Sequence, residues 1–256
     1  VNVSDLAAMG AAPRWALLAL ALPKMENEVD EKWIAAFARG FFECADAFDV
    51  ELIGGDTTRG PMSFCVTILG EAPAGQALLR AGARAGDDVW VSGQPGRAAL
   101  GLAQLRGRCR LAEPVRGECL DALQRPQPRV RLGWSLRGVA SAAIDVSDGL
   151  LADLGHILEA SGVAAELEFD RMPWLRLDDV EEELLRDCVL AGGDDYELAF
   201  TAPVDRRLAL EALSASLPLA LTRIGSVVPH ERERICLLDA QRNAMAFART
   251  GYDHFA

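Results

Sequence analysis

Short apolar runs that alternate with segments of helical period are the feature that most constrains the fold of this chain. The run from Trp15 to Leu22 lies between two prolines and predicts a buried strand, and the i, i+4 stripe of Trp33, Phe37 and Phe41 predicts a helix. The same reading predicts strands at 50–53, 63–69, 88–92, 142–146, 165–169, 197–201 and 235–238, and helices near 3–7, 98–105, 131–139 and 150–158. This order of elements indicates an α/β or α+β fold.

The stretch Ala-Pro-Ala-Gly at 72–75 is the predicted domain boundary. It would separate an N-terminal domain, 1–74, from a C-terminal α/β domain, 75–256. Residues 24–30 are predicted to form a polar loop, and 114–128 are charged without a clear period.

The charge and the cysteines exclude several classes of protein. The formal net charge is -12, which argues against a nonspecific nucleic-acid binder. The longest apolar run, Trp15 to Pro23, is about half the length of a membrane span. None of the six cysteines forms a C-x-x-C pair and the three histidines match no zinc spacing, so we expect a cytoplasmic protein without membrane or nucleic-acid partners.

Phosphate binding in this chain cannot use the common lysine loop. Lys24 and Lys32 are the only lysines, and neither follows a glycine, so no Walker-type Gly-Lys-Ser/Thr motif exists. Fixed positive charge must come from arginines, for which Arg59 and Arg80 are the candidates.

Aspartates beside glycine recur at the predicted ends of strands. They occur in Gly54-Gly55-Asp56, in the segment Asp145 to Gly149 and in Gly192-Gly193-Asp194, and Asp5 stands in Asn-Val-Ser-Asp. Carboxylates gathered at one sheet edge would repel one another unless a hard cation such as Mg²⁺ bound them. The alternative is that Asp148 caps a helix and Asp56 forms a turn, since aspartate favours both positions.

The segment after the 142–146 strand has a second expected use. Asp148 begins the turn into the following helix, and free N–H groups at that N-terminus would form a phosphate site, with the Ser147 hydroxyl as a further donor. This arrangement suits a nucleotide held through metal ions.

Five motifs together resemble the thiamine-monophosphate kinase family. They are Val-Asn-Val-Ser-Asp-Leu-Ala-Ala-Met-Gly at 1–10, Leu-Ile-Gly-Gly-Asp-Thr-Thr-Arg-Gly at 52–60, Ile-Asp-Val-Ser-Asp-Gly-Leu-Leu-Ala-Asp-Leu-Gly-His-Ile at 144–157, Gly-Gly-Asp-Asp-Tyr-Glu-Leu at 192–198 and Gly-Tyr-Asp-His-Phe at 251–255. The resemblance implies the two-domain architecture of aminoimidazole ribonucleotide synthetase, with the first domain truncated at its N-terminus. It also implies ATP-dependent, Mg²⁺-dependent conversion of thiamine phosphate to thiamine diphosphate, by a homodimer that pairs through the N-terminal domain.

The resemblance also implies a role for individual residues. Metal ligands would be Asp5, Asp56, Asp145 and Asp148. ATP would face Gly55, Asp56, Arg80 and Ser147, with Asp148 and Arg80 as the catalytic pair. Asp194 and Tyr252 would face thiamine phosphate.

Two departures from the family pattern stand out. Glutamate is usual where Asp194 stands, and the Gly-Asp-Asp and Ser-Thr-Asp motifs of the family's N-terminal stretch are absent from this chain.

The expected chemistry is direct in-line phosphoryl transfer. The acceptor is itself a phosphate, mostly dianionic at neutral pH, so no strong general base is needed. Tyr252 would offer its ring to the thiazolium cation, or else pack as an ordinary tail residue. Two other functions stay open: another ATP-using member of the superfamily, of the selenophosphate, hydrogenase-maturation or purine-pathway type, and a non-catalytic nucleotide-binding fragment.

Overall fold

The computed structural model describes residues 1–24, 30–230 and 234–252. Most of the predicted polar loop at 24–30 and the last three residues of the closing motif lie outside these ranges. Within them, no helix is long and apolar enough to cross a lipid bilayer.

The first sheet has three strands in the order β2-β1-β3. Its strands are β1, Ala12–Leu22; β2, Glu51–Arg59; and β3, Ser63–Glu71. Strand β1 pairs parallel with β2 and antiparallel with β3. Helix α2, Glu31–Ala47, lies between β1 and β2 along the chain. Aromatic rings on α2 contact Phe64 of β3, so this helix covers one face of the sheet.

The second sheet has six strands in the order β5-β7-β4-β8-β6-β9. They are β4, Asp88–Ser92; β5, Ala142–Asp145; β6, Val163–Glu168; β7, Leu198–Ala202; β8, Leu221–Pro229; and β9, Ile235–Leu238. All its pairs are antiparallel except β6 with β9.

Helices cover this second sheet and position its loops. They are α3, Arg97–Leu105; α4, Val115–Gln124; α5, Val130–Leu136; α6, Leu150–Ser161; α7, Glu182–Ala191; and α8, Arg207–Ser216. The apolar stripe of α6, which includes Leu154 and Leu158, packs on the same core as β4 and β5, as the periodicity predicts. A second core joins α5 to Trp90 and Phe200, whose rings stack at 6.4 Å.

Helix α1, Asn2–Ala8, lies between the two sheets. It contacts β1 and β3 of the first sheet and α5 and β5 of the second. Its fully buried Ala7 belongs to the core formed with α5. This position carries Asp5 to the end of β5, which matters for the site below.

Strand β2 corrects one prediction. The sequence predicted a strand that stops at Gly54, but the strand continues through Gly54-Gly55-Asp56 to Arg59 because β1 pairs with it along that whole length. Gly55 has φ 145°, and a Cβ there would lie 1.9 Å from the carbonyl oxygen of Leu18, so glycine is what lets the two strands stay paired. Asp56 is therefore a strand residue, and the turn interpretation of it is wrong.

Helices α4, α7 and α8 and strand β8 had no counterpart in the sequence prediction. Helix α4 buries only Cys119, so its apolar period is too weak to detect. Strand β8 lies between β4 and β6, but its segment Leu-Thr-Arg-Ile-Gly-Ser-Val-Val-Pro interrupts the apolar residues with arginine and glycine. Arg223 in this strand pairs with the buried Asp88 of β4, which explains an arginine at a mostly buried position.

Candidate active site

The turn between β5 and α6 carries two of the predicted metal ligands. Asp145 is the last residue of β5 and is buried, and Asp148 follows it before the helix begins. One carboxylate oxygen of Asp153, Oδ2, accepts the backbone N–H groups of Ser147, Asp148 and Gly149 at 2.9, 3.0 and 3.1 Å. This single side chain in the first turn of α6 therefore fixes the whole turn.

Asp153 removes the N–H groups of Ser147, Asp148 and Gly149 from those that could bind a phosphate, because they donate to its carboxylate. The phosphate site expected at the N-terminus of α6 itself stays a prediction. The N-cap residue is Gly149, with no side-chain cap, so the capping interpretation of Asp148 is wrong. Burial raises the pKa of Asp153 to about 6, against the opposing effect of its three hydrogen bonds.

Asp5, Asp145 and Arg80 come together where α1 meets the end of β5. Partial burial and, after it, the carboxylate of Asp145 raise the pKa of Asp5, while the Arg80 guanidinium acts in the opposite direction. Three of the sequence-predicted residues, far apart along the chain, thus lie within electrostatic reach of one another.

A second loop, 192–197, runs beside this turn. The backbone N–H of Asp194 donates to the Ser147 carbonyl at 2.9 Å, and the N–H of Tyr196 donates to the Val146 carbonyl at 2.8 Å. Gly193 is needed at this contact, because a Cβ on it would lie 2.5 Å from the same Ser147 oxygen. The two conspicuous motifs are therefore hydrogen-bonded to each other through their backbones.

A cavity of about 550 Å³ opens between these loops and the helices α3 and α7. Its lining includes four of the sequence-predicted residues, Ser147, Asp148, Asp194 and Tyr252. The backbone N–H of Tyr252 donates to the Asp148 carbonyl at 2.8 Å, which holds the C-terminal segment at the cavity. Asp194 and Tyr252 are largely solvent-exposed, as expected for groups that face a ligand.

Tyr196 connects the cavity to the carboxylates of β5. Its hydroxyl donates to Asp194 Oδ1 at 3.1 Å. Burial, then the charge of Asp194, raises the pKa of Tyr196, and the carboxylates of Asp145 and Asp148 add to the effect. Asp145, Asp148 and Asp194 therefore surround one buried phenol.

Asp56 and Gly55 lie elsewhere, in the exposed strand β2, where Asp56 Oδ1 accepts the N–H of Thr57 at 2.9 Å. Arg59 ends the same strand. In the described parts of the chain, no three His, Cys, Asp or Glu side chains are grouped closely enough to hold a metal ion by themselves.

The sequence did not predict several residues of this site. Arg106, Arg108 and Arg249 also line the cavity, but nothing in the sequence separated them from the other arginines of an arginine-rich chain. Asp153 could have been found, since an acidic residue in the first turn of a helix signals an interaction with N-terminal N–H groups.

The N-terminal part of the chain matches a family model. Residues 1–72 match the N-terminal domain of AIR synthase related proteins. The thiamine-monophosphate kinase of Salmonella typhimurium is 45% identical over the whole chain, which covers 78% of that protein. The chain belongs to the thiamine-monophosphate kinase family.

Solved structures of thiamine-monophosphate kinases have the same fold. The enzyme from Stenotrophomonas maltophilia K279a is 49% identical, with a TM-score of 0.83, and the match covers 92% of this chain and 75% of that one. AaThiL in complex with AMPPCP and TMP is 29% identical, also with a TM-score of 0.83, over 99% of this chain and 77% of that one. The predicted α/β architecture of the aminoimidazole ribonucleotide synthetase type is confirmed.

Proposed function

We propose that this chain transfers the γ-phosphoryl group of ATP to thiamine phosphate in the cytoplasm, forming thiamine diphosphate and ADP. The observation that carries the proposal is the cavity shared by Asp148, Asp194 and Tyr252, which gathers the motifs on which the family resemblance rests. A relative, AaThiL, has been solved with AMPPCP, an ATP analogue, and TMP, which supports this pair of substrates.

The residues present fit Mg²⁺, and we propose that the chain binds several ions, one held by Asp5, Asp145 and Asp148 and a separate one with Asp56, in strand β2, as a ligand. Asp5 and Asp145 lie close enough that one raises the pKa of the other, a repulsion that a divalent cation would relieve. Mg²⁺ commonly binds one or two protein carboxylates plus waters and substrate phosphates, so a cage of three protein ligands is not required. When bound, the metal supplies positive charge that neutralises phosphate oxygens.

The protein's own contribution is to orient two polyanions and to offset their charge. We assign Arg80, beside Asp5, to ATP together with Ser147, Gly55 and Asp56, and assign Asp148 and Arg80 to the reacting phosphates. Arg106, Arg108 and Arg249 give the cavity positive charge near the substrate phosphate. Asp194 and the ring of Tyr252 would face the cationic thiamine end.

The proposed transfer is a single in-line displacement. An oxygen of the thiamine phosphate dianion forms a bond to the γ-phosphorus, the bond from that phosphorus to the β,γ-bridging oxygen breaks, and ADP leaves with the bonding pair. Because the second pKa of a phosphate monoester is about 6, the attacking oxygen needs no strong base at neutral pH.

Incubation of the chain with ATP, Mg²⁺ and thiamine phosphate tests the proposal. We expect thiamine diphosphate, with inverted configuration when the γ-phosphorus of ATP is made chiral. Retention would overturn the direct transfer. ATP binding without any product would favour the nucleotide-binding alternative.

We also propose that the chain forms a homodimer through the face of the first sheet that α2 leaves open. Exposed apolar residues in its strands support this pairing: Trp15, Leu17, Ile53 and Leu69. Leu17→Asp should convert a dimer to a monomer in sedimentation equilibrium, whereas Leu208→Asp, on the exposed surface of α8, should not. A monomeric wild-type chain would overturn the proposal.

A further inference from the structure

The loop 192–197 holds Asp194 in a conformation that the residue would not adopt alone. Asp194 has φ 66° and Tyr196 has φ 51°, both in the left-handed region that non-glycine residues rarely occupy. Such conformations persist only where surrounding contacts enforce them. The contacts of Asp195 and Tyr196, which follow Asp194 directly, are therefore of interest.

Asp195 anchors the loop to the helix on the far side of the cavity. Its side chain points away from the cavity, where Oδ2 accepts the N–H of Gly96 at 2.6 Å and Oδ1 accepts the N–H of Ala98 at 3.2 Å. These N–H groups open helix α3, and the same helix contributes Ala99, Leu102, Ala103 and Arg106 to the cavity wall. One buried carboxylate thus sets the distance between the loop of Asp194 and the opposite wall.

Tyr196 fixes the direction of the Asp194 side chain. The phenol is 6% exposed, its backbone N–H is held by Val146, and its hydroxyl donates to Asp194 Oδ1 at 3.1 Å. An exposed carboxylate without such a donor would sample several rotamers, and ordering it on binding would cost free energy.

We propose that Tyr196 and Asp195 are positioning residues, which preorganise Asp194 for thiamine phosphate without contacting that substrate. The inference rests on the proposed function, because it takes Asp194 as the carboxylate that faces the thiamine end. It adds the buried Asp195 and Tyr196 to the two residues, Asp194 and Tyr252, that are proposed to face the substrate.

Binding measurements on a double-mutant cycle test the role of Tyr196. Calorimetric titration of the chain with thiamine phosphate should show about tenfold weaker binding for Tyr196→Phe, because only the hydrogen bond to a charged group is lost. In an Asp194→Ala background, which has no side-chain acceptor for the hydroxyl, the same substitution should have an effect below about twofold. An equal loss in both backgrounds would overturn the positioning role.

Asp195→Asn provides the second variant. An ionised carboxylate accepts from both backbone N–H groups, whereas an amide accepts from one and presents its own NH₂ to the other. At pH 9, above the pKa of about 8 to which burial raises Asp195, we therefore expect weaker thiamine phosphate binding with unchanged AMPPCP binding. Asp239→Asn is the matched control, because Asp239 also accepts two backbone N–H groups, from Gln241 and Asn243, in a loop away from the cavity. Equal affinity for thiamine phosphate in Asp195→Asn and wild type would contradict the anchor.

The titrations separate this inference from the proposed function. A wild-type chain that binds thiamine phosphate but forms no thiamine diphosphate would overturn the kinase activity, and the cycle would still decide the positioning role. A wild-type chain that does not bind thiamine phosphate would overturn both.

Discussion

The chain contains the triplet Gly-Gly-Asp twice, and the two copies have different conformations. Gly54-Gly55-Asp56 lies within a strand of an exposed sheet, where Gly55 lets β2 stay paired with β1. Gly192-Gly193-Asp194 lies in a loop, where Gly193 makes room for the Ser147 carbonyl and Asp194 lines a cavity.

The groups that hydrogen-bond to the backbone of each triplet, and not the triplet sequence itself, decide which structure forms. A neighbouring strand offers a continuous ladder of hydrogen-bonding groups to the first copy. In the second copy, the N–H of Gly192 donates to the Cys188 carbonyl and the N–H of Asp194 donates to the Ser147 carbonyl. Identical residues can therefore pair in a sheet at one position and line a cavity at another.

The largest expected effect concerns the glycines of the first copy. Gly55→Ala should lower the free energy of unfolding by about 3 kcal/mol, because its Cβ would meet the backbone of Leu18 at a position with positive φ. Gly54→Ala is the matched control: its Cβ would meet only a Leu17 methyl at 3.5 Å, so we expect a change within about 0.5 kcal/mol. Denaturant unfolding of both variants measures the difference, and equal stabilities would contradict the paired-strand conformation of Gly55.

The second prediction separates the aspartates of the two regions by substrate. Asp148→Asn should lower kcat/KM for thiamine phosphate about 100-fold, since it removes the carboxylate that we propose to act at the reacting phosphates. Asp56→Asn, in the strand, should raise the KM for ATP and leave the KM for thiamine phosphate unchanged. Steady-state kinetics with each substrate varied in turn checks this. A raised KM for thiamine phosphate in Asp56→Asn would contradict the separate roles of the two aspartates.

The sequence predicted much of the fold and several of the aspartates that the structure brings near one another. Most strands and α6 were found because their apolar period is strong, and Asp5, Asp145, Asp148 and Asp194 stand in long motifs. Asp153 was missed although its place in the first turn of a helix is a local signal. Asp195 was missed because it binds a backbone N–H group across 97 positions of chain, and such a partner leaves no local pattern. Helix α4, with one buried residue, shows the same limit for secondary structure.

The third prediction concerns how the free energy of unfolding depends on pH through Asp195, which follows the second triplet. Burial raises the pKa of Asp195 from 3.8 to about 8. Between these values the folded chain retains a proton that the unfolded chain has lost, so this residue makes the free energy of unfolding fall as pH rises, by about 1.4 kcal/mol per pH unit at most. Asp195→Asn should remove that slope between pH 5 and 8.

Urea unfolding at several pH values measures the slope. Asp239→Asn serves as the control, because hydrogen bonds from Asn243 hold the pKa of Asp239 below its usual value and its titration is complete below this pH range. An Asp195→Asn variant with the same slope as wild type would show that Asp195 is ionised in the folded chain.

The smallest expected effect comes from lengthening the carboxylate of the second triplet. Glutamate is usual in the family where Asp194 stands, so Asp194→Glu should lower the KM for thiamine phosphate, by about threefold if reach limits one hydrogen bond. The longer side chain must still accept from the Tyr196 hydroxyl, now 3.1 Å from Asp194 Oδ1, and the gain should therefore disappear in the double variant with Tyr196→Phe. An unchanged KM for Asp194→Glu would show that the shorter carboxylate already reaches the substrate. The distance across the cavity, which Asp195 sets, would then suit aspartate as well as glutamate.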